Sequence, residues 1–103
     1  MVTTTLLEEF KERMHISHSS EDSNLKRLLS FSVAYIEDKC GKFNLEGNSN
    51  IDKRAKELVF ERTRYLYNDA VEYFDTNFQS DIISLQFEIL FAKEKEGEQD
   101  EEV

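Results

Sequence analysis

His15 and His18 lie three residues apart, and with Cys40 they are the side chains of this sequence best suited to zinc. A structural zinc site takes four imidazole or thiolate ligands in a tetrahedron, usually delivered by closely spaced pairs. Here a fourth ligand is missing and the spacing matches no such signature. The pair also straddles an expected helix end, where the dipole favours a histidine. Carboxylates are more numerous, yet Glu57, Glu61, Asp69 and Glu72 are interleaved with Lys53, Arg54, Lys56, Arg62 and Arg64. At three- and four-residue spacing such charges pair along a solvated helix face. The sequence has no nucleophile–histidine–acid set, no glycine-rich phosphate loop and no GxSxG turn. No enzyme, metal or cofactor is expected.

The remaining candidates are packing residues. On a helical wheel the stretch FERTRYLYNDAVEYF and its lead-in show two apolar faces. Ile51, Ala55, Leu58, Val59, Tyr65, Leu66 and Tyr73 form one, and Phe60, Tyr67, Val71 and Phe74 form the other. A short chain can bury one face in its own core. The second is covered either by another part of the chain or by a neighbouring subunit, for which Tyr and Phe are well suited. Arg62 and Asp69 sit in the middle of the main face, two turns apart. Each either reaches water past the core edge or meets a partner at a boundary, since an unpaired buried charge is costly. Both readings are structural.

Local signals place these residues on elements. Thr5 and Glu8 fit a capping box opening a helix over about Leu6 to His15, with Leu6, Leu7, Phe10 and Met14 at helical spacing. Ser19 or Ser20 caps a second helix that runs to Cys40 and stops at Gly41, suited to a left-handed cap. Its apolar residues Leu25, Leu28, Leu29, Phe31, Val33, Tyr35, Ile36 and Cys40 sweep about 200° of the wheel, twice an ordinary stripe, which predicts a central helix. After the loop KFNLEGNSN, Ser49 or Asn50 caps a third helix continuing to Phe74 or Asp75 without Gly or Pro. Leu85, Phe87, Ile89 and Phe91 then alternate with Gln86, Glu88 and Leu90, which predicts a short strand. The expected architecture is all-α: a small bundle of one short and two long helices, with a short C-terminal β-strand or extended arm and a disordered acidic tail. The helical domain covers residues 1–92, its arm about 77–92, and the tail 93–103.

Bulk properties narrow the partners. The 103 residues carry a net charge of −9, of which KEKEGEQDEEV supplies six acids against two lysines. An acidic body without a basic stripe is ill suited to gripping a phosphate backbone. No segment approaches the roughly 18 apolar residues needed to span a membrane. MVTTTLLEEF carries no signal-peptide pattern, and the lone Cys40 suits a reducing compartment, so synthesis in the cytoplasm is expected.

The helix LLEEFKERMHI, the acidic start before LKRLLSFSVAYIEDKCG, and the long segment AKELVFERTRYLYNDAVEYFDTNF together resemble the head–tail connector proteins of long-tailed double-stranded DNA phages, particularly those of Gram-positive hosts and their prophages. The resemblance covers about residues 5–92. It implies a structural protein of the virion neck, made in the host cytoplasm. Such a protein joins as a homo-oligomeric ring of about twelve copies beneath the portal after DNA packaging. The ring would extend the channel, let DNA pass without sequence-specific binding, and dock the downstream neck, stopper or tail-completion protein. Phe60, Arg62, Tyr67, Asp69, Val71, Phe74, Phe87, Ile89 and Phe91 are the expected subunit contacts, and Lys42, Phe43, Asn44 and Leu45 the loop facing portal or neighbour. The alternative is a small helical regulatory or adaptor module with a single protein partner.

Overall fold

The computed structural model describes residues 2–102, with side chains described for 2–94. Its helices are α1 (Thr4–Met14), α2 (Asp22–Cys40), α3 (Asn50–Tyr67), α4 (Phe74–Asn77) and α5 (Gln79–Glu102), with a 3₁₀ turn at Val71–Tyr73 before α4. No strand occurs among the described residues. The expected three-helix bundle with a C-terminal strand is therefore corrected to five helices. The disordered tail expected over 93–103 lies, from residue 95 onward, outside the described side chains.

Each boundary has a local cause. Thr3, rather than Thr5, caps α1: its hydroxyl accepts from the Leu6 N–H at 3.1 Å, which draws Thr4 and Thr5 into the first turn. His15 closes the helix in the left-handed conformation (φ 58°) while the Ile16 N–H reaches back to the Lys11 carbonyl at 2.9 Å. Asp22 opens α2 without a serine cap, and its carboxylate takes a 2.8 Å ion pair from the buried Lys11. Ser49 caps α3, as one of the two expected candidates, by accepting from the Asp52 N–H at 3.1 Å.

The largest departure is the end of α3. The helix stops at Tyr67, two turns before the expected Phe74. Asp69 takes a left-handed conformation (φ 54°), and the Ala70 N–H donates to the Tyr65 carbonyl at 2.8 Å, satisfying an otherwise unpaired helix-end acceptor. Asp69 does the work of a terminating glycine, because a short polar side chain tolerates positive φ. Phe74 consequently folds back over α3. Its ring lies 5.8 Å from Tyr65 and 5.0 Å from Phe78, and it is 1% exposed.

The predicted strand is the middle of α5. Ile82, Leu85 and Ile89 are its buried residues, at spacings of three and four, and they face α2 and α3. Apolar residues on the opposite side of the same helix filled the intervening positions, which produced the false alternation. A second apolar stripe on a helix resembles strand periodicity over seven residues.

As expected, α2 is central, touching α1, α3 and α5. Its C-terminus is where α5 docks. The Cys40 thiol donates to the Ile82 carbonyl at 3.6 Å, and the Gln86 amide donates to the Lys39 carbonyl at 2.7 Å. Directly after these residues Gly41 adopts φ 113° and ψ 178°, a conformation open essentially to glycine alone rather than the expected left-handed helical one. A Cβ there would also meet the Ile89 Cγ2 at 2.8 Å. Gly41→Ala is expected to destabilise the fold by about 2 kcal/mol or more, since backbone strain of about 1–3 kcal/mol adds to the clash. Thermal unfolding followed by far-UV circular dichroism measures it; an unchanged midpoint would show that α5 does not dock this closely.

Candidate interaction surfaces

The two-faced segment of α3 is covered from within. Phe60 meets Phe10 of α1 at 5.6 Å between ring centroids, under a lid formed by Arg13 and Lys56. Arg13 pairs with Glu57 at 2.6 Å, and Lys56 pairs with Glu9. Phe60 and Phe74 thus belong to the core, as does Ile89. Tyr67 and Val71 are half-buried, and the Tyr67 hydroxyl donates to Glu21 at 2.8 Å, tying the end of α3 to the start of α2. Asp69 is exposed at the helix cap.

Arg62 does meet a partner, and the partner is an aromatic ring. Its guanidinium lies 4.0 Å from the centroid of Tyr35, while Nη1 donates to the buried Ser32 hydroxyl at 3.4 Å. A planar cation stacked on a ring keeps its charge favourably placed while its stem is buried. The Tyr35 hydroxyl in turn donates to Asp75 at 2.5 Å, joining α2 to α4. Burial, with the hydrogen bond to Asp75 next, pushes the Tyr35 phenol up to about 12. Burial pulls the Arg62 guanidinium down, opposed by Tyr35 and Asp75.

The loop expected to face a neighbour is folded against the bundle. Leu45 is buried, Phe43 packs on the core, and the Asn44 N–H donates to Asp52 at 2.9 Å. Of the four residues expected to face a neighbour, Lys42 and Asn44 are exposed. His15 and His18 are exposed and Cys40 is buried, its thiol pushed up by burial. No cluster of metal-ligating side chains occurs among the described residues.

The open apolar surface is on α5. Ile83, Phe87, Leu90 and Phe91 fall at helical spacing and are between 42% and 63% exposed. Phe87 and Phe91 were expected contacts; Ile83 and Leu90 were missed, because a strand reading put Leu90 on the other face. Phe31 of α2 and Tyr73 of the 3₁₀ turn are exposed to a similar degree. A wheel drawn over 79–92 would have separated the buried stripe of α5 from this one.

A helical subunit with an open aromatic stripe has the character of an assembly component. The family described as phage gp6-like head-tail connector proteins matches residues 4–97. The chain belongs to that family. No curated protein and no solved structure gave a significant match. The connector is therefore a structural, non-catalytic protein of the phage neck, at the junction of head and tail, and the family implies oligomeric assembly with portal and connector partners. No helix among the described residues is long and apolar enough to cross a membrane.

The Tyr35 linkage gives a sign that can be checked. Because its pKa in the folded state lies above that of an unfolded tyrosine near 10, the folded protein holds the proton more tightly. The associated stability is complete below about pH 10 and is lost as pH rises toward 12. Denaturant unfolding at successive alkaline pH values should show this loss, and Tyr35→Phe should flatten it. An identical alkaline slope in wild type and variant would contradict the linkage.

Proposed function

We propose that the connector joins about twelve copies into a ring beneath the portal once DNA is packaged, extending the channel and presenting the docking surface for the next neck or tail-completion protein. The family match over residues 4–97 carries this reading. The subunit contacts would come from the exposed or half-buried members of the expected set: Arg62, Tyr67, Asp69 and Val71 at the closed end of α3, and Phe87 and Phe91 on α5. Phe60, Phe74 and Ile89 would support these surfaces from beneath. Lys42 and Asn44 would supply the polar contacts of the loop toward portal or neighbour.

The charge balance suits a conduit that DNA passes without being held. Net charge is −9, and Lys11, Arg13, Arg54, Lys56 and Arg64 are each paired with an acid of the same chain. Cations already neutralised release few counterions from a duplex, so the backbone gains little by binding. A channel wall of this kind lets the duplex slide.

Heads from infections lacking this connector test the placement after packaging. They are expected to hold packaged DNA when first formed, but to carry no tails. Heads that never take up DNA would contradict it.

A further inference from the structure

We propose that the 3₁₀ turn, α4 and α5 exchange between two copies of this chain, each copy's α5 seating on the α2–α3 surface of the other. The inference goes beyond the ring and stands without it, because it concerns the free chain. The hinge is Asn68–Ala70. On either side the backbone is already helical: α3 ends at Tyr67, and the 3₁₀ turn and α4 run from Val71 to Asn77. Within the hinge Asn68 has φ −98° and ψ 13°, Asp69 has φ 54°, and Ala70 has φ −126° and ψ 20°. Asp69 alone lies in the left-handed region, which an L residue occupies at a cost. The stretch NDAVEYF contains no Gly or Pro, so no residue in it is barred from a continuous helix.

Turning the hinge into the helical region makes one helix from Asn50 to Asn77, about 42 Å long. The left-handed residue is removed and α5 swings off its own bundle. Tyr65 and Phe74 are nine residues apart, so a continuous helix turns them to opposite sides. Their 5.8 Å ring contact in the closed chain is then broken. Phe74, Ile82, Leu85 and Ile89, each no more than 8% exposed when closed, would be left in water. That is too much apolar surface for an open monomer to persist. The straight form therefore requires an occupant for the vacated surface and a cover for α5.

The closed chain identifies that occupant. The surface that α5 leaves already fits α5: Gly41 admits Ile89, the Cys40 thiol donates to the Ile82 carbonyl, the Gln86 amide donates to the Lys39 carbonyl, and Arg54 meets Ser84 and Glu88. A second copy carries the same α5, so each of these contacts is remade across the pair. The Tyr35–Asp75 bond and the Tyr65–Phe74 contact are remade with them. Exchange of an identical element is a low-cost route to a dimer for this reason. Two effects then separate the closed and exchanged states. Relief of the left-handed hinge favours exchange, and the freedom lost on association opposes it. Raising the concentration tips the balance toward exchange.

Refolding the full-length chain from denaturant at high concentration, with masses read by native mass spectrometry, tests the exchange. Dimers are expected, more with Asp69→Ala and fewer with Asp69→Gly, since glycine relieves the left-handed strain and disfavours the straight helix. A factor of about ten at each of the two hinges separates the dimer dissociation constants of these variants by about a hundredfold. Charge reversal reads where α5 sits. An Arg54→Glu chain and a Glu88→Arg chain each bring like charges together when closed, and an exchanged pair of unlike chains restores both contacts. Their mixture is expected to hold more heterodimer than the half that random pairing gives. Arg54→Glu and Glu88→Arg on one chain, mixed with wild type, should give less than half. Asp69→Ala chains that stay monomeric would overturn the inference, as would equal dimerisation of Asp69→Ala and Asp69→Gly. So would charge-reversed mixtures that give no dimer or pair at random; these keep the wild-type hinge, so they decide the matter even where Asp69→Ala fails to fold.

Discussion

The helix break at Asn68–Ala70 determines how this chain is covered. A helix continuing from Asn50 to Phe74 would hold Phe60 and Phe74 on one outward stripe, beyond the reach of the same chain. Closing α3 at Tyr67, with Asp69 in the left-handed region, reverses the path and brings Phe74 and Phe78 onto Tyr65. Positive φ costs an aspartate about 1 kcal/mol or more. Burying a phenylalanine ring returns about 1.5–3 kcal/mol, so the reversal is favourable on that residue alone. α5 can then run back across the C-terminus of α2.

That crossing is tightly specified. Gly41 permits close approach of Ile89, two side chain–backbone hydrogen bonds to Ile82 and from Gln86 precede it along α5, and Arg54 reaches from α3 to Ser84 and Glu88. The partly exposed Arg54–Glu88 pair contributes little by itself, but together with the hydrogen bonds it sets the rotation of α5 about its axis. The rotation decides which stripe is buried: Ile82, Leu85 and Ile89 go inward, and Ile83, Phe87, Leu90 and Phe91 stay exposed.

Long, singly amphipathic segments were legible in the sequence. The Leu and Phe spacing of α1, the breadth of α2 and the Ser49 cap of α3 all predicted elements that form. The stop at Asp69 was not legible, because the usual Gly or Pro is absent and Asn-Asp terminates a helix only when tertiary contacts reward the turn. α5 was misread because two opposed stripes mimic alternation. Arg62 illustrates a different limit. Its position on an apolar face showed that it needed a partner, but the partner, Tyr35, is 27 residues earlier and becomes visible only once α2 and α3 pack.

The resemblance that suggested a connector rested on packing segments, and those segments account for the subunit's framework more than for its contacts. Two of the expected contact residues stay exposed on α5, while three are interior. Whether copies of this acidic subunit assemble on the portal is tested most directly by stoichiometry. Native mass spectrometry of the purified chain, alone and with the portal of the same phage, should show closed multimers of about a dozen copies on the portal. A chain that stays monomeric and ignores the portal would contradict the account.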